Sequence, residues 1–176
     1  MIFIVSASLR AESVSRRLAS AAEAYLRSQG HAVELLDLRE HALPLCDGGA
    51  AYSDPQVLHV TAKLEQADGI LVATPIYNYD ATAALKNLIE LTGEAWEGKV
   101  VGFLCAAGGA SSYMSIMALA NSLMLDFRSL IVPRFVYATA DCLDEANEPK
   151  GDILARVQQL ATETARLATA VRSVAA

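Results

Sequence analysis

The chain has 176 residues and a formal net charge of −6, with 53% hydrophobic and 19% charged residues. This length and composition predict a single domain with a sizeable core, spanning residues 1–176. The net negative charge argues against nonspecific binding to nucleic acid or to an anionic membrane surface. No window of about 18 apolar residues is present, so we expect no membrane-spanning helix.

Cysteine and histidine residues are few and scattered along the chain. Cys46, Cys105 and Cys142 show no CxxC spacing, and the three histidines form no ligand pattern with other residues. We therefore predict no metal site. Scattered thiols, and a first stretch that lacks a basic leader, lead us to expect a cytoplasmic protein without a secretory signal.

The first distinctive feature is a hydroxyl-rich loop between an apolar stretch and an amphipathic pattern. Residues 2–5 predict a buried strand, and a helix is predicted over Val14–Ser28. Between them lie a cation and several hydroxyls, of which we single out Ser8, Arg10, Ser13 and Ser15. A helix N-terminus with hydroxyl and guanidinium donors suits a small phosphate group. The simpler alternative is that Ser13 or Ser15 only caps the helix.

The rest of the chain alternates between strand and helix patterns. The first helix stops at Gly30, and the pattern then predicts a strand at 32–38, a long loop at 39–55 and a helix starting at Pro55 with Asp54 as its N-cap. Two further strand–helix pairs follow, with strands at 69–74 and 99–106 and helices at about 85–92 and roughly 113–127. The chain ends with a strand at 130–139 broken by Pro133, an acidic loop at 141–148 and a helix through 153–171.

This alternation predicts an α/β fold with a five-stranded parallel sheet between two helical layers, a three-layer sandwich with strand order 2-1-3-4-5. In such sheets ligands bind beyond the carboxyl ends of the strands, where the strand order reverses. Strands one, three and four are adjacent in that order. The unusual loops that follow them are therefore expected to converge on one crevice.

The second and third loops indicate what that crevice could hold. Pro75, Ile76, Tyr77 and Asn78 offer apolar and aromatic walls after a buried strand. The pair at 108–109, Gly108 and Gly109, permits positive φ and lets the backbone approach a flat ligand closely. A phosphate clamp beside a flat slot suits a mononucleotide with a large planar ring, and flavin mononucleotide (FMN) is the natural candidate.

These three loops resemble those of the NAD(P)H-dependent FMN reductase family, which has a flavodoxin-like fold. The resemblance lies in residues 7–16 (ASLRAESVSR), 74–78 (TPIYN), 84–87 (ALKN) and the Gly-Gly pair. It implies that the four first-loop residues bind the FMN phosphate, that residues 75–78 line the ring, and that the glycines shape its far edge. Ala7 and Ile76 depart from the Gly and Glu common in the family.

The resemblance further implies a ping-pong oxidoreductase using NADPH or NADH and a small-molecule acceptor, such as free flavin or a quinone. A flavin-dependent monooxygenase is an implied partner. The flavin carries the chemistry, so no catalytic side chain is expected. Two alternatives stay open: a flavodoxin-like FMN electron carrier that does not use nicotinamide, and a non-enzymatic α/β binding module.

Two further expectations concern the surface. The predicted helix at 113–127 is apolar nearly all round, which is typical of a subunit interface, so we expect a homodimer or homotetramer. Arg16 and Arg17 could attract the 2′-phosphate of NADPH, but a solvated helix face is the favoured interpretation.

Overall fold

The computed structural model describes residues 1–175, and within this range one sheet has seven strands and is accompanied by five α-helices. The strands are β1 (Ile2–Ser6), β2 (Val33–Asp37), β3 (Gly69–Tyr77), β4 (Asp80–Ala81), β5 (Val100–Ala106), β6 (Leu130–Ile131) and β7 (Val136–Ala138). The helices are α1 (Val14–Ser28), α2 (Pro55–Glu65), α3 (Ala83–Thr92), α4 (Met117–Phe127) and α5 (Gly151–Ala175). None of these helices is both long and apolar enough to cross a membrane.

The strand order is β2-β1-β3-β5-β6, and these neighbours are parallel. This confirms the predicted flavodoxin-like order. The strand count differs from five for two reasons. The last predicted strand is divided into β6 and β7, which both pair with β5, and the two-residue β4 adds an antiparallel partner to the end of β3.

Side chains alternate across the sheet, so each strand feeds two separate cores. On one face Phe3, Val72 and Phe103 pack in a cluster that includes Trp96 and residues of α2, α3 and α4. On the other face, side chains such as Leu71 pack against α1 and α5. Burial on both faces explains why the central strands are continuous apolar runs in the sequence.

Among the boundaries that differ from the prediction, two lie next to the carboxyl ends of the central strands. β3 continues through Tyr77 and turns back into β4 through Asn78 and Tyr79, which both adopt positive φ, 52° and 68°. This two-residue hairpin, with both central residues left-handed, has the geometry of a type I′ turn. α4 begins at Met117, because a short 3-10 turn at Ala110–Ser112 and an irregular stretch precede it.

Candidate functional site

A pocket of about 320 Å³ opens at the carboxyl ends of β1, β3 and β5. The predicted loops do converge there. Its lining includes eight of the residues singled out in the sequence: Ser8, Arg10, Ser13, Ser15, Pro75, Ile76, Tyr77 and Gly108. Asn78 and Gly109 lie next to lining residues but do not line the pocket themselves.

Hydroxyl groups organise the first loop. Ser13 is the N-cap of α1, and its Oγ accepts the backbone N–H of Arg16 at 3.3 Å. Ser15 Oγ lies 3.0 Å from Ser13 Oγ, and Ser8 Oγ accepts the N–H of Arg10 at 3.3 Å. The capping alternative therefore holds for Ser13, which nevertheless also lines the pocket.

Arg16 holds this loop in place through hydrogen bonds, and the prediction that it is a solvated residue is wrong. Its guanidinium forms a two-point ion pair with Asp37 at the end of β2, through Nε–Oδ2 at 2.5 Å and Nη2–Oδ1 at 3.0 Å. It also donates to the carbonyl oxygens of Ser8, Arg10 and Ala11 at 2.8, 2.6 and 3.0 Å. One side chain thus fixes three successive parts of the loop to the neighbouring strand.

The ion pair shifts the acidity of both partners. Burial raises the pKa of Asp37, but hydrogen bonds from Arg16 and from the backbone N–H of Arg39 outweigh it, so the net pKa is lowered. The hydrogen bond to Asp37 raises the pKa of Arg16. Both groups are therefore charged at neutral pH. Arg17 matches the expectation better, because its side chain is 40% exposed and forms only a long ion pair with the carboxylate of Glu148, at 3.8 Å.

The first loop forms one wall of the pocket, and the second wall is the end of strand β3 rather than a loop. Pro75 and Ile76 belong to the strand, and Ile76 is only 7% exposed, so its backbone and buried side chain form a rigid wall. Tyr77 is 52% exposed at the last strand position. Asn78 occupies the first left-handed position of the turn. The following Tyr79 donates its hydroxyl hydrogen to the carbonyl oxygen of Ser111 at 3.2 Å, which joins the second wall to the third.

The third wall of the pocket follows β5 and contains Gly108 and Gly109. Their conformation differs from the expected positive φ. Neither Gly108 nor Gly109 has positive φ, and Gly109 is extended with φ −163°. A Cβ built on either residue would meet no protein atom within 4 Å. Open space, not backbone conformation, distinguishes these positions. Tyr137, which the sequence did not single out, donates its hydroxyl hydrogen to the carbonyl oxygen of Gly109 and lies 2.7 Å from Ser112 Oγ.

The sequence also did not single out five other lining residues. They are Glu12 and Val14 from the first loop and helix start, Ala106 and Ala107 from the end of β5, and Ala140 after β7. The alanines contribute mainly backbone, which leaves no chemical signal in a sequence. Glu12 is the single acidic side chain in this lining, and its carboxylate opposes any bound anion.

The residues present fit a phosphate-bearing planar ligand. Ser6 Oγ, in the last residue of β1 just before the first loop, is fully buried and has no hydrogen-bond partner among the described residues. Such a group normally pairs with a ligand or a buried water. Ser6 itself does not line the pocket. The unpaired N–H groups at the α1 N-terminus and the open space beside the glycines provide donors and room for such a ligand. Across residues 1–175, no group of three or more His, Cys, Asp or Glu side chains is placed so that it could hold a metal ion.

Comparison with known proteins places this pocket in context. Residues 1–142 match the profile of a family described as NADPH-dependent FMN reductase. An NAD(P)H-dependent FAD/FMN reductase from Geobacillus thermodenitrificans is 32% identical over 144 residues, which cover 80% of this chain and 78% of the relative. The NADH-dependent FMN reductase SfnF from Pseudomonas putida is 29% identical over 150 residues, covering 82% and 80%.

Solved structures agree on the fold. The NAD(P)H:acceptor oxidoreductase FerB from Paracoccus denitrificans superposes with a TM-score of 0.77 at 19% identity, covering 96% of each chain. An archaeal flavodoxin gives a TM-score of 0.66 at 14% identity, covering 96% of this chain and 99% of that one. At these identities the likeness establishes the architecture alone.

Proposed function

The chain belongs to the family of NADPH-dependent FMN reductases. We propose that it transfers hydride from NADPH or NADH, through FMN, to a small-molecule acceptor such as free flavin or a quinone. The observation that carries the proposal is the convergence of three separate loops on one pocket with a helix N-terminus, an arginine and serine hydroxyls at one end. The chain acts in this proposal as a single FMN-binding domain.

We assign the phosphate of FMN to Ser8, Arg10, Ser13 and Ser15. The Arg10 side chain has no ion-pair partner within residues 1–175, so its charge is available to an anion. The α1 N-terminus adds its dipole, and the brace by Arg16 holds the loop in place before ligand arrives.

We assign the ring to the slot between the two other walls. Pro75, Ile76, Tyr77 and Asn78 would form one side, and Gly108 and Gly109 the other. Bound FMN would accept and donate the hydride. The protein would orient the FMN ring and shield one edge of it from water. Because both nicotinamide and acceptor would reach the ring through the same mouth beside Tyr77, we expect them to bind in turn, with ping-pong kinetics.

The decisive experiment is an absorbance spectrum of the protein with FMN, recorded before and after NADPH is added without oxygen. Bleaching of the flavin bands by NADPH or NADH supports the reductase. Bands that persist until dithionite is added indicate an electron carrier instead. Absence of FMN uptake would overturn the assignment of the pocket and leave a binding module for another ligand.

Charge variants test the phosphate assignment directly. Arg10→Ala should weaken FMN binding at least tenfold, because a charge-assisted hydrogen bond contributes about 1.5–3 kcal/mol. Glu12 lines the same pocket, and Glu12→Gln removes its negative charge while keeping its size. This variant should therefore strengthen FMN binding about two- to threefold. Riboflavin, which lacks the phosphate, should show neither effect. Equal responses of FMN and riboflavin would contradict the assignment.

We further propose that the protein is a cytoplasmic homodimer or homotetramer that associates through the outward face of α4. Met117, Met124 and Leu125 on this helix and the preceding Met114 are exposed and apolar. Their continuity along one element favours a second copy as the occupant. By the resemblance of its loops, a flavin-dependent monooxygenase is our proposed recipient of the reduced flavin.

A further inference from the structure

A second and larger cavity, about 780 Å³, lies at the outer edge of the sheet between the broken edge strand and α5. One side is formed by Tyr113 and residues 132–134. The other is formed by the α5 residues Arg156, Gln159, Leu160, Glu163, Arg166 and Leu167. We call this cavity the edge groove.

The edge groove concentrates positive charge on a chain whose net charge is −6. Three arginines line it, and Arg166 is paired with Glu163 at 2.7 Å. Within residues 1–175, Arg134 and Arg156 have no ion-pair partner. Two guanidinium groups are therefore free to make charge-assisted hydrogen bonds to an anion, and the guanidinium fork matches phosphate geometry well.

Backbone strain marks one of these arginines. Arg134 follows Pro133 and adopts a left-handed conformation with φ 61°. This conformation costs a residue with a Cβ appreciable free energy, and strain of this kind is concentrated at functional sites. The strained bend places Arg134 in the groove lining rather than in the paired edge strand.

The groove also offers a fixed aromatic surface. Tyr113 stacks on Phe135 with ring centroids 4.9 Å apart and meets Tyr137 edge-on at 5.5 Å. Val132 and Leu160 are buried apolar neighbours in the lining. A planar heterocycle carrying a phosphate would find both an aromatic neighbour and two cations here.

The edge groove lies close to the pocket at the strand ends. Arg134 lines the groove and Ala140 lines the pocket, and six residues of chain span at most about 20 Å. Tyr137 links the two, because it contacts Tyr113 of the groove and holds the carbonyl oxygen of Gly109 beside the pocket. An extended dinucleotide can bridge this separation.

We propose that the edge groove binds the adenosine 2′-phosphate end of NADPH while the nicotinamide reaches the exposed face of the FMN ring at the mouth of the pocket. This assignment rests on the proposed function. Arg134 and Arg156 hold the 2′-phosphate, and Tyr113 flanks the adenine. NADH carries a hydroxyl in place of this phosphate, so the two arginines make the enzyme prefer NADPH. Glu163 does not repel the phosphate because Arg166 neutralises it.

Kinetics with both nucleotides test the groove. Arg156→Ala and Arg134→Asn, the latter chosen because Asn tolerates left-handed backbone, should each lower kcat/KM for NADPH about tenfold. They should leave kcat/KM for NADH unchanged within about twofold. Arg172→Ala is the matched control, since it removes the same charge from the same helix outside the groove. A uniform loss with both nucleotides, or no loss with either, would overturn the proposal.

Binding of 2′,5′-ADP by calorimetry provides a readout that needs no turnover. The proposal expects binding to the wild type that is weakened about tenfold in Arg156→Ala, and much weaker binding of 5′-AMP. Absence of 2′,5′-ADP binding refutes the groove assignment even if the protein reduces FMN. If 2′,5′-ADP binds as expected but neither nicotinamide nucleotide is oxidised, the proposed reductase function fails while the anion site stands.

Discussion

Arg16 is the residue on which the first loop depends most. Arg16→Ala would remove the ion pair and three hydrogen bonds to carbonyl oxygens and leave Asp37 nearly buried without its main partner. We expect the free energy of unfolding in urea to fall by about 2–4 kcal/mol and FMN affinity to fall with it. Arg27→Ala is the control on the same helix, since its exposed pair with Glu23 contributes below about 1 kcal/mol. Equal losses in the two variants would contradict the brace.

The same ion pair predicts a pH dependence. Because the pKa of Asp37 is lowered in the folded state from its usual 3.8, the unfolded chain takes up the proton first as the pH falls. The stabilisation is therefore complete above pH 3.8 and is lost as the pH drops through the lowered folded value. The difference in unfolding free energy between wild type and Asp37→Asn should shrink across that range. A difference that stays constant with pH would show that the carboxylate charge of Asp37 is not the source of the stabilisation.

Tyr79 is the residue whose backbone conformation conflicts with its side chain. Type I′ turns favour Gly at this position, and a left-handed Tyr costs about 1–2 kcal/mol. Tyr79→Gly should raise the unfolding free energy by about 0.5–1 kcal/mol after the added chain entropy is counted. Tyr79→Phe keeps the strain and loses only the bond to Ser111, so it should not be stabilised. A stabilised Phe variant would refute the strain argument.

Residue roles could be predicted from the sequence when the partner is local. Ser13 as an N-cap and Asp54 before Pro55 follow from a few adjacent residues, and both side chains accept N–H groups of their helices. Arg16 pairs with a strand 21 positions away. No periodicity distinguishes such an arginine from a solvated one, which is why its role was missed.

At the scale of elements, Gly102 on β5 lies in close contact with α5 and with the neighbouring strand β3. A Cβ there would lie 2.7 Å from Thr164 Oγ1 and 3.0 Å from Leu71 Cδ2. Gly102→Ala should therefore lower the unfolding free energy by about 1–3 kcal/mol through overpacking. Gly109→Ala meets no atom and should change stability by less than about 0.5 kcal/mol, yet weaken FMN binding under our assignment. The reverse order of stabilities would contradict the packing argument.

The buried strands were the most predictable elements. Apolar runs on β1, β3 and β5 are long enough to specify a sheet covered on both faces, and α1 matches its predicted bounds. The hairpin after β3 was missed because its turn is Asn-Tyr instead of Asn-Gly. The late start of α4 was missed because Ile116 provides no side-chain cap that could mark it.

For the whole molecule, the main prediction is self-association through α4. Light scattering at micromolar concentration should give twice or four times the mass of one chain. Met124→Glu should reduce that mass by placing a charge in the apolar contact. Leu58→Glu on α2 is the control, because Leu58 is also exposed but lies outside this face. A monomeric wild type would refute the interface.

The position of the site in the whole molecule followed from topology. Once parallel strands in the order 2-1-3-4-5 are expected, loops after the three central strands must meet at one edge. What the sequence could not supply is the lining by main-chain atoms at 106–107 and 140, or the edge groove, because both depend on packing between distant segments.

The break between β6 and β7 also has a consequence for solubility. An uninterrupted edge strand would expose a row of unpaired N–H and C=O groups to other chains. Here the edge consists of two and three residues, separated by Pro133, which has no N–H, and by the left-handed Arg134. A neighbouring chain cannot extend the sheet across such a gap. The bend that shapes the edge groove therefore also protects this side of the molecule against amyloid-like growth.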